Sequence, residues 1–113
     1  MDKELSVNAT VQNQMAGLLE LHSESLTPGA SWLQPPPSQI AGNSDATFSA
    51  AGAAALSGTV VYMPSGSSTP LTFTFSVDGS DNTAQATYPM IGPTVGARIT
   101  QGASATATYS YAR

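Results

Sequence analysis

Apolar and polar residues alternate along most of the chain. Leu5, Val7, Ala9 and Val11 take turns with Ser6, Asn8, Thr10 and Gln12, the period-two pattern of a half-buried strand. Leu18 to Glu24 reads as a second strand with Leu19 and Leu21 on one face. The short Asn13–Gly17 connection predicts that these two strands form a hairpin. The cleanest alternation is Leu71-Thr72-Phe73-Thr74-Phe75-Ser76-Val77, which predicts Leu71, Phe73, Phe75 and Val77 on the core face. Further strands are expected over Asp45–Ala50 around Phe48, Ser57–Met63, Thr83–Tyr88, Val95–Gln101 and Ala103–Tyr111. Turn signals separate them at Ala41–Ser44, Pro64–Ser68, Asp78–Asn82 and Pro89–Pro93. Ala51 to Ala55 is ambiguous, because alanine favours helix while Gly52 and the short length favour a loop or single turn. Eight or nine short strands with no amphipathic helix predict a single all-β domain over 1–113, an antiparallel β-sandwich.

One segment breaks the pattern. Leu26 to Ile40 holds the only tryptophan, Trp32, and four of the eight prolines. Pro28, Pro35, Pro36 and Pro37 exclude a helix and disfavour a central strand. The segment is expected to be a long ordered loop at one end of the sandwich. Its large ring is either an exposed anchor or a lid folded back over the sandwich edge.

Composition narrows the function. Of 113 residues only 9% are charged, against roughly 25% in ordinary soluble domains. The polar surface is therefore mostly hydroxyls and amides. A net charge of −4 gives no electrostatic footprint for nucleic acid and none for anionic lipid. A membrane partner must present neutral or zwitterionic head groups. There is no cysteine, which removes disulfides and thiolate metal sites. The start, Met1-Asp2-Lys3-Glu4-Leu5, has no apolar signal region, and no segment has the ~20 apolar residues of a spanning helix. Synthesis in the cytoplasm is expected, followed by release by a route the chain does not encode and action at target membranes.

Catalytic and metal chemistry find little material. The single histidine, His22, lies between Glu20 and Glu24 at two-residue spacing, which predicts one solvated polar strand face. A metal would find one good ligand there. Asp78-Gly79-Ser80-Asp81-Asn82 offers oxygen ligands but not the rest of a calcium loop, and a turn closed by Asx hydrogen bonds is the simpler expectation. No enzyme activity and no cofactor are expected. Phe48, Phe73 and Phe75 are expected in the core, and the tyrosines either at its edge or on a ligand face.

The order of features resembles a known family. Gly29-Ala30-Ser31-Trp32 followed by prolines, then Ile40-Ala41-Gly42, then the Phe48 strand and Ser57-Gly58-Thr59-Val60-Val61-Tyr62 is similar to the aegerolysins, including the smaller component of two-component insecticidal crystal proteins. Gly29 and Trp32 fall on the family's Gly/Trp element, and Gly58 and Tyr62 on the Gly and Tyr of its later strand. Ser57 stands where many members have Glu, and the further tryptophans of the lipid-binding members are missing. The resemblance implies a β-sandwich that binds membrane lipids of the sphingolipid and sterol class. In several members it also implies a larger pore-forming partner, giving a cytolysin or insecticidal toxin. The expected lipid-binding residues are Trp32, Leu33, Tyr62 and Tyr88. The competing expectations are a self-associating β-protein, whose partner is a second copy of the chain, and a carbohydrate-binding module.

Overall fold

The computed structural model describes residues 5–53, 55–66, 68–89 and 91–112. The charged start at Met1–Glu4, Ala54 of the ambiguous alanine run, Ser67 of the Pro64–Ser68 turn and Met90 of the Pro89–Pro93 break lie outside them. Ten strands form: β1 Leu5–Asn13, β2 Leu19–Leu26, β3 Ser31–Gln34, β4 Gln39–Ile40, β5 Ser44–Gly52, β6 Leu56–Pro64, β7 Leu71–Val77, β8 Thr83–Thr87, β9 Thr94–Ile99 and β10 Ser104–Ala112. They make two five-stranded sheets, β3-β5-β1-β10-β9 and β4-β2-β6-β7-β8, packed face to face as the expected sandwich. All described pairings are antiparallel except β1 with β10, which is parallel.

The core follows from the alternation. Val7, Ala9 and Val11 of β1, Phe48 and Ala50 of β5, and Ala105, Ala107 and Tyr109 of β10 are buried against Leu56, Val60 and Tyr62 of β6 and Leu71, Phe73, Phe75 and Val77 of β7. Aromatic rings fill the centre. Tyr109 lies 4.8 Å from Phe73 and stacks on Phe48 at 6.5 Å. Its hydroxyl donates to the Thr74 carbonyl at 2.7 Å, so burying this phenol leaves no unpaired polar atom.

Four expectations need correction. β1 and β2 are not a hairpin. Both edges of β1 are taken by β5 and β10, so the chain crosses to the other sheet before β2 begins. The 26–40 segment is not all loop, since β3 and β4 form within it as short edge strands. Edges are where a proline-rich stretch can still pair. Nor does it sit at one end; it runs along one side of the sandwich, from the level of Gly52 to that of Leu19. Finally, β5 continues through Ala51 to Gly52, because strand pairing with Leu5 and Ser6 of β1 outweighs the helical preference of alanine.

Buried asparagines hold the ends. Asn13 donates from Nδ2 to the carbonyls of Gly17 at 2.9 Å and Ala41 at 3.0 Å, while its Oδ1 accepts from the Met15 amide. Asn82 donates to the carbonyls of Thr100 and Gly102, both at 2.9 Å, and its Oδ1 accepts from the Asp78 and Gly79 amides. One end thus joins the connections 14–18 and 41–43, with 65–70 and 88–93 beside them. The other joins 78–82 and 100–103.

Candidate functional site

The four expected lipid contacts do not come together. Tyr62 is fully buried, and its hydroxyl donates to the Pro37 carbonyl at 2.7 Å. Burial pushes its phenol well above the ordinary range, so it is a neutral core residue that pins the 26–40 segment. Trp32 is half-buried, with its ring edge-on to Phe48 at 5.7 Å and Phe75 at 6.4 Å. Of the two expectations for this ring, the lid over the sandwich edge is the one formed. Gly58 makes room for it. A Cβ at Gly58 would stand 2.4 Å from the Phe75 ring, so only glycine lets Phe75 reach the position that supports Trp32. That is a physical reason for the glycine and tyrosine of the Ser57–Tyr62 stretch.

Leu33 is different. Trp32 pairs with Ala50 and Gln34 with Ser49, which leaves Leu33 as the extra residue of a bulge. Bulges re-aim side chains, and Leu33 is 65% exposed. Tyr88 lies on the opposite side, after β8, with its ring edge-on to Tyr111 at 5.5 Å. β3 and β9 are the two edges of one five-stranded sheet, so the two sides are separated by about 19 Å, four strand spacings.

The sequence pattern missed Ile91. It sits in the β8–β9 connection and is 102% exposed. Together with Leu33 it makes up the exposed large apolar side chains of the described residues. Periodicity carries no signal for it; the usable one was an apolar residue bracketed by Pro89, Gly92 and Pro93. Gly92 has φ 117°, a region closed to most side chains, so the turn after Ile91 depends on glycine.

The candidate chemical clusters dissolve. A second bulge falls between Leu21 and Ser23 and shifts the register after His22. Glu20 pairs with the outward Met63, but Glu24 pairs with the core-facing Val60. The expected single face of Glu20, His22 and Glu24 is therefore broken, and no group of three metal-ligating side chains occurs among the described residues. The 78–82 turn is the expected Asx turn. Asp78 Oδ1 accepts from the Asp81 amide at 2.7 Å and the Ser80 amide at 2.9 Å, and these bonds hold its carboxyl below the ordinary range.

Surface depressions are broad and shallow. One of about 450 Å³ is lined by Ser25, Ser57, Thr59, Thr74, Thr83 and Gln85 over Gly58 and Phe75. Another, of about 420 Å³, is lined by Gln12, Gln14, Thr108, Ser110 and Arg98 around Gly96. Hydroxyls and amides of this kind bond neutral polar groups. No helix among the described residues is long and apolar enough to cross a membrane.

Comparison with solved structures shows a likeness in fold. The chain is similar to the lipid binding protein Nakanori, with a TM-score of 0.78 and 11% sequence identity over 96% of this chain and 71% of that one. At that identity what is shared is the fold. No family model matches the chain, and no curated protein matches it.

Proposed function

We propose that the chain is a non-catalytic lipid-binding module of the aegerolysin-like kind, recognising membranes with neutral or zwitterionic head groups. The observation that carries this reading is an uncovered apolar side chain. Ile91 stands wholly exposed on a surface of hydroxyls and amides, on a scaffold shared with a lipid-binding protein. Apolar side chains enter the head-group region, tyrosines sit at its polar boundary, and hydroxyls bond the neutral head groups. Of the expected contacts, Tyr88 lies in the same connection as Ile91, Leu33 is exposed at the opposite edge, Trp32 packs onto Phe48 and Phe75, and Tyr62 fixes the 26–40 segment through Pro37. Sphingolipid or sterol preference, and action beside a larger pore-forming protein as a cytolysin, are the finer parts of this proposal and rest on the aegerolysin resemblance.

Flotation with vesicles of phosphatidylcholine, with and without sphingomyelin and cholesterol, tests it. Binding is expected to survive raised salt, since exposed charge does not drive it. Absence of co-flotation on every composition overturns the proposal. Binding that appears only on anionic vesicles and vanishes with salt overturns the neutral-head-group part.

A further inference from the structure

The two ends of the sandwich differ in charge. At one end the 78–82 turn presents the exposed carboxylates of Asp78 and Asp81. At the other lie the connections 14–18, 41–43, 65–70 and 88–93, and none contains Asp, Glu, Lys, Arg or His. Arg113, which follows β10 there, is outside the described residues. The nearest carboxylates, Glu20 and Asp45, are one residue inside β2 and β5. Each is three strands from the β8–β9 side, about 14 Å.

From this end Ile91 projects without any cover. Behind it the Tyr88–Tyr111 ring pair closes the sandwich. The end is also firmly built. Besides the Asn13 bonds, the Gln14 amide donates to the Tyr111 carbonyl at 2.9 Å, Asn43 to Met15 at 2.9 Å and Ser65 to Leu18 at 2.8 Å.

We infer that this end, with Ile91 as the inserted tip and Tyr88 at head-group depth, is the surface that meets the bilayer, and that the Trp32–Leu33 edge is not. The inference rests on the lipid-binding reading and deepens it. Three features select a neutral membrane as the occupant. The four connections of this end carry no charged side chain to steer a polar partner. The end has one apolar point rather than a broad apolar patch. The partly exposed Tyr88 lies three residues before that point in the same connection, the kind of ring found at membrane boundaries. The edge strand β3 lies about 19 Å to the side, across the full width of its sheet, so a flat bilayer that takes Ile91 end-on leaves Leu33 in water.

The test compares Ile91→Asp with Leu33→Asp on the phosphatidylcholine–sphingomyelin–cholesterol vesicles. Both side chains are exposed, so both variants should fold, and unchanged thermal melting checks this. Ile91→Asp is expected to weaken vesicle partition about tenfold or more, from the lost apolar contact and the carboxylate brought to the interface. Leu33→Asp is expected to stay within about twofold. Ile91→Trp should bind, and its added emission should shift to the blue on vesicles. If the wild type floats and Ile91→Asp floats equally well, the inference fails while the lipid-binding reading stands. If Leu33→Asp alone loses binding, the contact is the other edge and the inference fails. If the wild type never floats, both fail. A wild-type dimer in light scattering that Ile91→Asp dissolves, with vesicle binding unchanged, assigns the end to a second copy of the chain and also overturns it.

Discussion

The Trp32–Leu33 edge and the Tyr88–Ile91 connection are both rich in apolar and proline residues, yet the fold uses them differently. The first is fastened along its length. Thr27 Oγ1 donates to the Ser57 carbonyl at 2.9 Å, the Trp32 ring rests on Phe48 and Phe75, Pro37 accepts from Tyr62, and Ser38 accepts from the Leu21 amide at 2.8 Å. The second shows its isoleucine fully to solvent. An apolar residue with neighbours to cover it serves stability, and one left uncovered adds little to it. A lone tryptophan draws attention in a sequence, but here its ring is mostly structural, while the less conspicuous isoleucine has the free surface.

Removing Trp32 tests the first half of that contrast most strongly. Trp32→Ala deletes a half-buried indole that closes two edge-on ring contacts. Loss of a buried aromatic costs about 3–5 kcal/mol, and half-burial puts this one at about 3 kcal/mol in urea or thermal unfolding. A loss below 1 kcal/mol breaks the contrast, because the ring then contributes nothing as a lid. Gly58→Ala should follow at about 1–3 kcal/mol. The added methyl meets the Phe75 ring at 2.4 Å and Leu26 at 3.0 Å, and Phe75 must yield under Trp32. A rise in Trp32 exposure, read from quenching, should accompany the lost stability.

How far these roles were legible varies by element. β7 was readable residue by residue, because four apolar side chains alternate with hydroxyls and all four are buried. β3 and β4 were not readable, because prolines mask short edge pairing that depends on a neighbour more distant in the chain. The β1–β2 hairpin was misjudged because local spacing does not reveal that β10, about a hundred residues on, takes the free edge of β1. Tyr62 was within reach. It shares parity with Leu56, Gly58 and Val60, all core-facing, but the adjacent Val60 and Val61 blur which face is apolar. Glu24 was out of reach, since nothing local announces the bulge that turns it. Ile91 belongs to no period, and its exposure depends on what surrounds it in space.

Tyr62→Phe is a smaller and sharper probe of the fastened edge. It keeps the ring and removes one hydroxyl, leaving the Pro37 carbonyl without its donor. The expected loss is about 1 kcal/mol. The phenol is also a pH probe. Burial raises the folded-state values of Tyr62 and Tyr109 above the ordinary 10.0. The neutral forms therefore contribute stability that is complete below about pH 10 and lost as pH rises beyond it. In an alkaline titration followed by tyrosinate absorbance, these two phenols should ionise only as the fold opens. Tyr62→Phe should flatten that alkaline loss in part. Early ionisation of Tyr62 in the folded protein would show that Pro37 and its segment lift away from the sandwich.

The smallest expected effect is the most discriminating. Ile91→Ser and Leu33→Ser both replace an exposed apolar side chain with a hydroxyl, and both should leave unfolding within about 0.5 kcal/mol of the wild type. For Leu33 a small loss is tolerable, since it adjoins Trp32 and retains about a third of its surface in contact. For Ile91, 102% exposed, no contact exists to lose. A destabilisation of 1 kcal/mol or more in Ile91→Ser would mean that the tip packs onto the Tyr88–Tyr111 pair in solution. The connection would then be another fastened edge, with no free apolar surface for a membrane. Matching unfolding curves for Ile91→Ser and wild type, beside a weakened vesicle partition, would separate stability from binding at a single side chain, a separation Trp32 cannot provide because its ring is part of the fold.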